Sequence, residues 1–355
     1  MKSFSLSILM YCFTLYGGMA FAQLPASTQA TAKDQSSNST LAYDKMLDGY
    51  EYPFPVQRYS FSSQGQSLEM AYMYLAPPDA TTDSTSHIDK PVVVLMHGKN
   101  FNGAYWAETA TMLQQQGYEV LMPDQIGFGK SSKPVNYQYS FAALAHNTKG
   151  MIDHLNLKKV IIVGHSMGGM LASRFALMYP DFTTQLVLVN PIGLENYLQY
   201  EQYKDVAFFY EMESAQTADK IISYQKKNYY DGQWNQTYNE LTHPLIGWIQ
   251  GPDADHMAKV NARTYDMIFT QPVIEAFKYF KIPVTLILGT RDRTGPGRNW
   301  KRDGVKYELG RYDLLGKRVQ RKNPAIKVIN LNGLGHLPHI EDFPRFKKAF
   351  IKALR

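Results

Sequence analysis

The sequence predicts an α/β fold: a mostly parallel, doubly wound sheet with an inserted helical cap. Three observations lead there. From Val56 onward, short β-branched apolar runs alternate with amphipathic stretches of helical length. Runs that are apolar on both faces suit parallel strands covered by helices on each side. Between 191 and 280 the alternation stops, and an aromatic-rich, helix-compatible stretch takes its place. Finally, the run Val160 to Val163 ends in Gly164-His165-Ser166-Met167-Gly168 and passes at once into a helix-forming run, Met170 to Ala176.

The elements follow in order. Gln57–Ser62 and Ser67–Leu75 read as two leading strands joined through Gln64-Gly65, an antiparallel start. Next come strand Val92–Met96, helix Ala104–Gln116, strand Glu119–Met122, helix Phe141–Leu155, strand Lys159–Val163, helix Met167–Tyr179 and strand Gln185–Val189. Beyond the aromatic stretch, Pro283 to Gly289 and Ile326 to Leu331 resume as strands. The stretch includes Tyr197, Phe208, Phe209, Tyr224, Tyr229 and Trp248. Lying between two core strands, it should sit over their carboxyl ends, with a minority of its aromatics lining an apolar pocket and the rest holding the cap together.

The G-x-S-x-G segment carries the chemistry. A strand-to-helix reversal this tight excludes bulky neighbours, which Gly164 and Gly168 satisfy, and it pushes the Ser166 hydroxyl out above the sheet edge. The helix N-terminus beyond supplies free N–H groups where an oxyanion would form. A serine hydroxyl needs a positioned base, and that base needs a carboxylate to fix its tautomer. In this setting the partners follow in the order acid, then histidine. Asp292 stands on the loop after the strand ending at Gly289, and His336 follows the last strand in Gly333-Leu334-Gly335-His336. All three lie at carboxyl ends of strands, where open α/β sheets bind ligands. Ser166 is therefore read as nucleophile, Asp292 as orienting acid and His336 as general base. Glu195 and Asp205 are the substitute acids. His339 is the competing base, and Asp342 reads as a first-turn helix acid.

Two further loops carry a resemblance. Pro91 to Gly98 is a strand running into His97-Gly98, followed by Lys99-Asn100-Phe101-Asn102-Gly103. Tyr118 to Asp124 ends a strand before Gln125-Ile126-Gly127-Phe128-Gly129-Lys130-Ser131-Ser132. With the serine turn, these resemble the α/β-hydrolase family from about Pro53 to Arg355. The likeness is to bacterial members with a helical lid: esterases, peptidases of the proline-iminopeptidase type, carbon–carbon bond hydrolases and epoxide hydrolases. It implies that the backbone N–H groups of Lys99 and Met167 face the oxyanion, with the Lys99 ammonium solvated on a mouth loop. It also implies that Asp124 is structural. Haloalkane dehalogenases and epoxide hydrolases use an aspartate where Ser166 stands, which argues against both. The long basic insert after Asp292 departs from the simplest family pattern.

Composition sets the remaining bounds. Met1-Lys2, the apolar stretch Phe4 to Tyr16 and Ala20-Phe21-Ala22 read as a signal peptide over 1–22, cleaved after Ala22. Export to the periplasm or beyond follows, with no stable membrane insertion after cleavage. The single cysteine, Cys12, falls inside that segment, so the mature chain needs no disulfide. Residues 23–50, rich in Ser, Thr, Ala and Gln, read as a flexible leader. The core is then 51–190 with 281–355, and the cap is 191–280. The formal charge of +6 sits largely between Arg291 and Lys322. That segment holds no nucleic-acid-binding module, so a solvated loop or a patch on anionic lipid is expected. The nine histidines show no metal-ligand spacing, and no metal or cofactor is called for.

The expected function is an exported serine hydrolase acting on a carboxylic ester of a small or medium apolar molecule through an acyl-enzyme. Alternatives are an aminopeptidase or amidase, whose amine would need cap acids such as Glu201, Asp205, Glu211 or Glu213, and a carbon–carbon bond hydrolase. From another class comes a catalytically silent binding module, which would need none of the triad. Fold and triad together do not choose among the reactions. The oligomeric state stays open.

Overall fold

The computed structural model describes residues 41–77 and 90–354. The expected signal peptide and residues 23–40 of the leader lie outside them. Eight strands form one sheet: β1 (Val56–Ser63), β2 (Gln66–Leu75), β3 (Val92–Met96), β4 (Val120–Pro123), β5 (Val160–His165), β6 (Thr183–Val189), β7 (Val284–Gly289) and β8 (Lys327–Leu331). Their spatial order is β1-β2-β4-β3-β5-β6-β7-β8. β2 runs antiparallel to both β1 and β4, and every other pair is parallel.

The alternation of side chains explains why the central strands are apolar throughout. Val94, Ile162, Leu188 and Leu286 enter the core on one face, while Val93, Val163, Val187 and Ile287 enter the core on the other. Helices α2 (Phe141–His154), α3 (Met167–Met178) and α9 (Tyr312–Lys322) cover the first face. Helices α1 (Ala107–Gln115) and α11 (Phe343–Ala353) cover the second. The edge strands β1 and β8 are only half buried and carry polar residues outward.

Between β6 and β7 the chain forms five helices: α4 (Val206–Ser214), α5 (Ala218–Asn228), α6 (Gln236–Glu240), α7 (His243–Gln250) and α8 (Ala254–Thr270). Asp205, Thr217 and Asn235 cap the starts of α4, α5 and α6 by accepting from backbone N–H groups inside each helix. Phe209 of α4 stacks on Tyr265 and Phe269 of α8, and Trp300 from the long loop before α9 packs edge-on to Phe208 and Phe209. The basic insert is thus part of the cap's packing. Five of its cations form ion pairs: Arg291 with Glu341, Arg293 and Arg311 with Asp313, Arg318 with Glu195, Lys322 with Glu275.

Residues 41–50 depart from the flexible leader expected over 23–50. Leu47 is fully buried against Trp248 and Met257. The Tyr43 N–H donates to the Gly247 carbonyl at 2.9 Å, and its ring lies so close that any side chain at 247 would collide with it. Lys45 donates to the Asp253 carboxylate from both its backbone N–H and its ammonium. Unlike residues 23–40, this segment is rich in apolar groups, and Tyr43, Leu47 and Tyr50 pack against Trp248 of α7 and Met257 of α8.

One further helix, α10 (Pro338–Glu341), buries His339. Its ring stacks on Trp106 at 4.5 Å and meets Tyr105 edge-on at 5.0 Å, and neither ring nitrogen has a hydrogen-bond partner among the described residues. Burial, reinforced by the neighbouring His336, pushes its pKa down from 6.5 to about 3.

Two outcomes follow from this packing. Leu47→Ala should destabilise the fold by about 2–5 kcal/mol in urea titration; an unchanged midpoint would mean that the 41–50 strap contributes nothing. The His339 value lies below that of the unfolded chain, which therefore binds more protons between pH 6.5 and 3. Its stabilisation is present above pH 6.5 and is lost as the pH falls, by up to about 1.4 kcal/mol per pH unit. His339→Phe keeps the stack and should flatten the decline in Tm between pH 7 and 4. An equally steep decline in the variant would contradict a neutral, buried imidazole.

Candidate active site

Four strands deliver the site to one edge of the sheet. β5 ends in the turn carrying Ser166, whose φ of 56° lies in the left-handed region and is strained for a serine. The strain is enforced by contact. A Cβ on Gly164 would run into the Gly168 carbonyl, and one on Gly168 into the carbonyls of Met96 and His97. The elbow is therefore clamped between α3 and the end of β3.

Ser166, Asp292 and His336, far apart in sequence, come together. The Ser166 hydroxyl donates to His336 Nε2 at 3.0 Å, and His336 Nδ1–H donates to Asp292 Oδ2 at 2.7 Å. Asp292 is fully buried and His336 nearly so, while Ser166 keeps 8% exposure. Burial alone would raise the Asp292 pKa. The His336 ring and hydrogen bonds from Thr294 and Asn190 outweigh it and hold the carboxyl below its ordinary value. Thr294 N–H donates to Oδ1 at 2.7 Å, and Asn190 Nδ2 to Oδ2 at 2.8 Å.

Asn190 escaped the sequence reading. It follows β6 directly, has a φ of 37°, and its Oδ1 accepts from Gly289 N–H at 2.8 Å. It thus ties the end of β6 to the loop bearing Asp292. An asparagine between a buried strand and Pro191 was the available signal, since Asn tolerates left-handed backbone better than most residues.

The loop after β3 passes over the serine. A Cβ placed on Gly98 would lie 3.1 Å from the Ser166 Cβ. The backbone N–H groups of Lys99 and Met167 donate to no acceptor among the described residues. The Lys99 side chain departs from its expected solvation: its ammonium lies 3.3 Å from Glu213 of α4 and 4.7 Å from the centre of the Tyr265 ring. The cap folds over this loop, so the charge meets a carboxylate and an aromatic face instead of water.

A second buried network runs beneath the triad. Burial, reinforced by the neighbouring His336 and His339, holds His165 well below the usual histidine pKa, so its ring is neutral. Its Nε2 faces the His336 carbonyl at 2.8 Å, and a carbonyl can only accept, so Nε2 carries the proton. Nδ1 then accepts from the Tyr105 hydroxyl at 2.9 Å, whose oxygen accepts in turn from Gly98 N–H at 3.0 Å. His165 and Tyr105 therefore connect the loop of the base to the loop over the serine. The sequence reading passed over both, because their partners come from three separate loops.

The other candidates lie elsewhere. Glu195 accepts from Tyr307 and Gly310 and holds the long loop, Asp205 caps α4, and Asp342 caps α11. His339 faces its aromatic stack. Asp124 accepts from Tyr52, Gly103 and Lys130, joining two loops to the segment between the 41–50 strap and β1.

Above Ser166 lies a cavity of about 390 Å³ between core and cap, with Ile192, Met212, Trp248, Met257, Tyr265 and Ile268 on its apolar walls. Of the cap aromatics named from the sequence, Tyr224, Tyr229 and Trp248 reach it. Tyr229 also stacks on His336, with ring centroids 4.7 Å apart. Among the described residues no cluster of His, Cys, Asp and Glu has the arrangement to hold a metal ion, and no helix is long and apolar enough to cross a membrane.

Comparison with known proteins identifies the family. A family model for the α/β-hydrolase fold matches residues 91–221. A putative carbamate hydrolase, RutD, of Pseudomonas syringae is 33% identical over 104 residues, 29% of this chain and 40% of that protein. A 2-hydroxy-6-oxononadienedioate/2-hydroxy-6-oxononatrienedioate hydrolase of Comamonas testosteroni is 37% identical over 109 residues, 30% of this chain and 38% of that protein. The chain thus spans less than half the length of these sequence relatives. The structure of a probable hydrolytic enzyme from Pseudomonas aeruginosa PAO1 is similar throughout, with 38% identity and a TM-score of 0.84 over 89% of this chain and 99% of that one. On a likeness of that extent, the chain belongs to the α/β-hydrolase family.

Proposed function

We propose that the protein is a serine hydrolase that cleaves a carboxylic ester through an acyl-enzyme. The observation that carries this reading is the continuous hydrogen-bonded path from the Ser166 hydroxyl through His336 to a buried, ionised Asp292. Ser166 Oγ attacks the acyl carbonyl carbon while His336 Nε2 takes its proton. Asp292 holds Nδ1–H and stabilises the imidazolium that forms. The N–H groups of Lys99 and Met167 receive the developing oxyanion. Collapse of the tetrahedral intermediate expels the alcohol, which leaves with the proton from His336. Water then gives its proton to His336 and attacks the acyl carbon, and Ser166 departs with that proton as the acid is released.

The relatives named as carbamate and carbon–carbon bond hydrolases keep those bonds as second candidates, since the same groups would serve. The aminopeptidase reading finds less support. Of its cap acids, Glu213 is paired with Lys99, Asp205 caps a helix and Glu201 is buried against Gly297 outside the cavity lining.

The His165–Tyr105 bridge acts through other groups: it sets the distance between the base and the oxyanion donors. Without the Tyr105 hydroxyl, Gly98 N–H and His165 Nδ1 both lose their partner, at a cost of about 1–3 kcal/mol each.

Turnover of p-nitrophenyl esters from acetate to decanoate should fall at least about 10⁴-fold in Ser166→Ala with the fold intact. Near-full activity in that variant would sink the mechanism. Labelling by a fluorophosphonate probe without ester turnover would keep the triad and redirect the search to amide, carbamate and carbon–carbon bonds. Tyr105→Phe should lower kcat about tenfold at nearly constant KM, since it disturbs the transition-state contacts and not the cavity. A change confined to KM would rule out this positioning role.

A further inference from the structure

The cavity that supports the ester-hydrolase reading is not uniformly apolar. Among its lining residues, four side-chain atoms are buried without a hydrogen-bond partner in the described structure: both amide atoms of Gln225, which is 1% exposed, the Thr294 hydroxyl and the Trp248 indole nitrogen. Buried polar atoms are nearly always paired in folded proteins, so four unpaired ones on residues lining a single cavity point to a partner supplied by a ligand. The charges in the lining point the same way. Lys99 and Glu213 neutralise each other, and Lys220, exposed on the rim, donates to the Ala215 carbonyl. Arg298 remains. Its backbone N–H is bonded to the Gly295 carbonyl, but its half-buried guanidinium forms no ion pair or hydrogen bond among the described residues.

Taking Ser166 as the nucleophile, we propose that the substrate carries a carboxylate apart from the bond that is cleaved, and that Arg298, Gln225 and Thr294 bind it. One inner cation without a counter-charge matches a monoanion. Gln225 Nε2 and the Thr294 hydroxyl are donors suited to carboxylate oxygens, and a guanidinium presents its N–H groups in a planar fork that fits the same geometry. Thr294 also has its N–H on Asp292, so the carboxylate subsite adjoins the triad through a single residue. The Gln225 carbonyl is left to accept from a hydroxyl or water at the subsite.

The test is calorimetric and independent of turnover. Hexanoate and its neutral counterpart hexanamide are titrated into the full chain bearing Ser166→Ala, with and without Arg298→Gln or Arg298→Lys. Hexanoate should bind at least tenfold more tightly than hexanamide. Arg298→Gln should erase that preference, and Arg298→Lys, which keeps the charge, should retain part of it. Thermal melts establish that each variant is folded. Hexanamide binding as tightly as hexanoate would overturn the proposal and assign Gln225 to an amide-bearing ligand. A preference unchanged in Arg298→Gln would overturn it too, placing the carboxylate on the oxyanion N–H groups instead. Loss of esterase activity in Ser166→Ala bears on the nucleophile alone, so the two readings fail separately.

Discussion

The rest of the site depends on the close approach of α3 to the ends of β3 and β5. Gly168 lies against the Met96 and His97 carbonyls, and Gly164 against Gly168. This contact holds Ser166 at a positive φ that it would not otherwise adopt. It also sets the spacing between the backbone N–H groups of Met167 and Lys99, because one belongs to α3 and the other to the loop after β3. A β-carbon at either glycine would push these elements apart and shift Ser166 relative to these N–H groups. The energy stored in the turn is carried by the surrounding packing, which is buried on both faces of the sheet.

Around that clamp, polar groups are used as ties between loops and less as isolated contacts. Asn190 joins β6 to the Asp292 loop, Asp124 joins two loops to the segment between the strap and β1, and His165 with Tyr105 joins the base to the loop over the serine. The ties through Asn190 and through His165 with Tyr105 are buried, so each of their bonds is strong and costly to lose. His165 and His339 contribute as neutral rings, which keeps additional positive charge away from His336.

The cap closes the site from the other side. Its α4–α8 contacts are aromatic, and Tyr229 covers the His336 ring. The Lys99–Glu213 pair fastens it to the loop over the serine, and the strap at 41–50 holds its α7–α8 corner. A cap fixed at several points gives a cavity of defined shape, with apolar walls and a few polar atoms among them.

The sequence by itself determined the strand–helix alternation, the serine turn and the loops bearing Asp292 and His336. Each is encoded locally, by β-branched runs, by glycines that a tight reversal demands, and by the order of polar residues after apolar strands. It also located the cap, as a break in that alternation. Only the tertiary structure decided what depends on distant partners. The pairing of Lys99 with Glu213, the burial of Leu47, the tie through Asn190 and the neutral His165 each join segments far apart in the chain. The same holds for which aromatics face the cavity, since that depends on how α4–α8 pack on one another. Local patterns specify backbone geometry and burial by periodicity, whereas pocket polarity and ion pairing are set by which surfaces meet once the chain has closed.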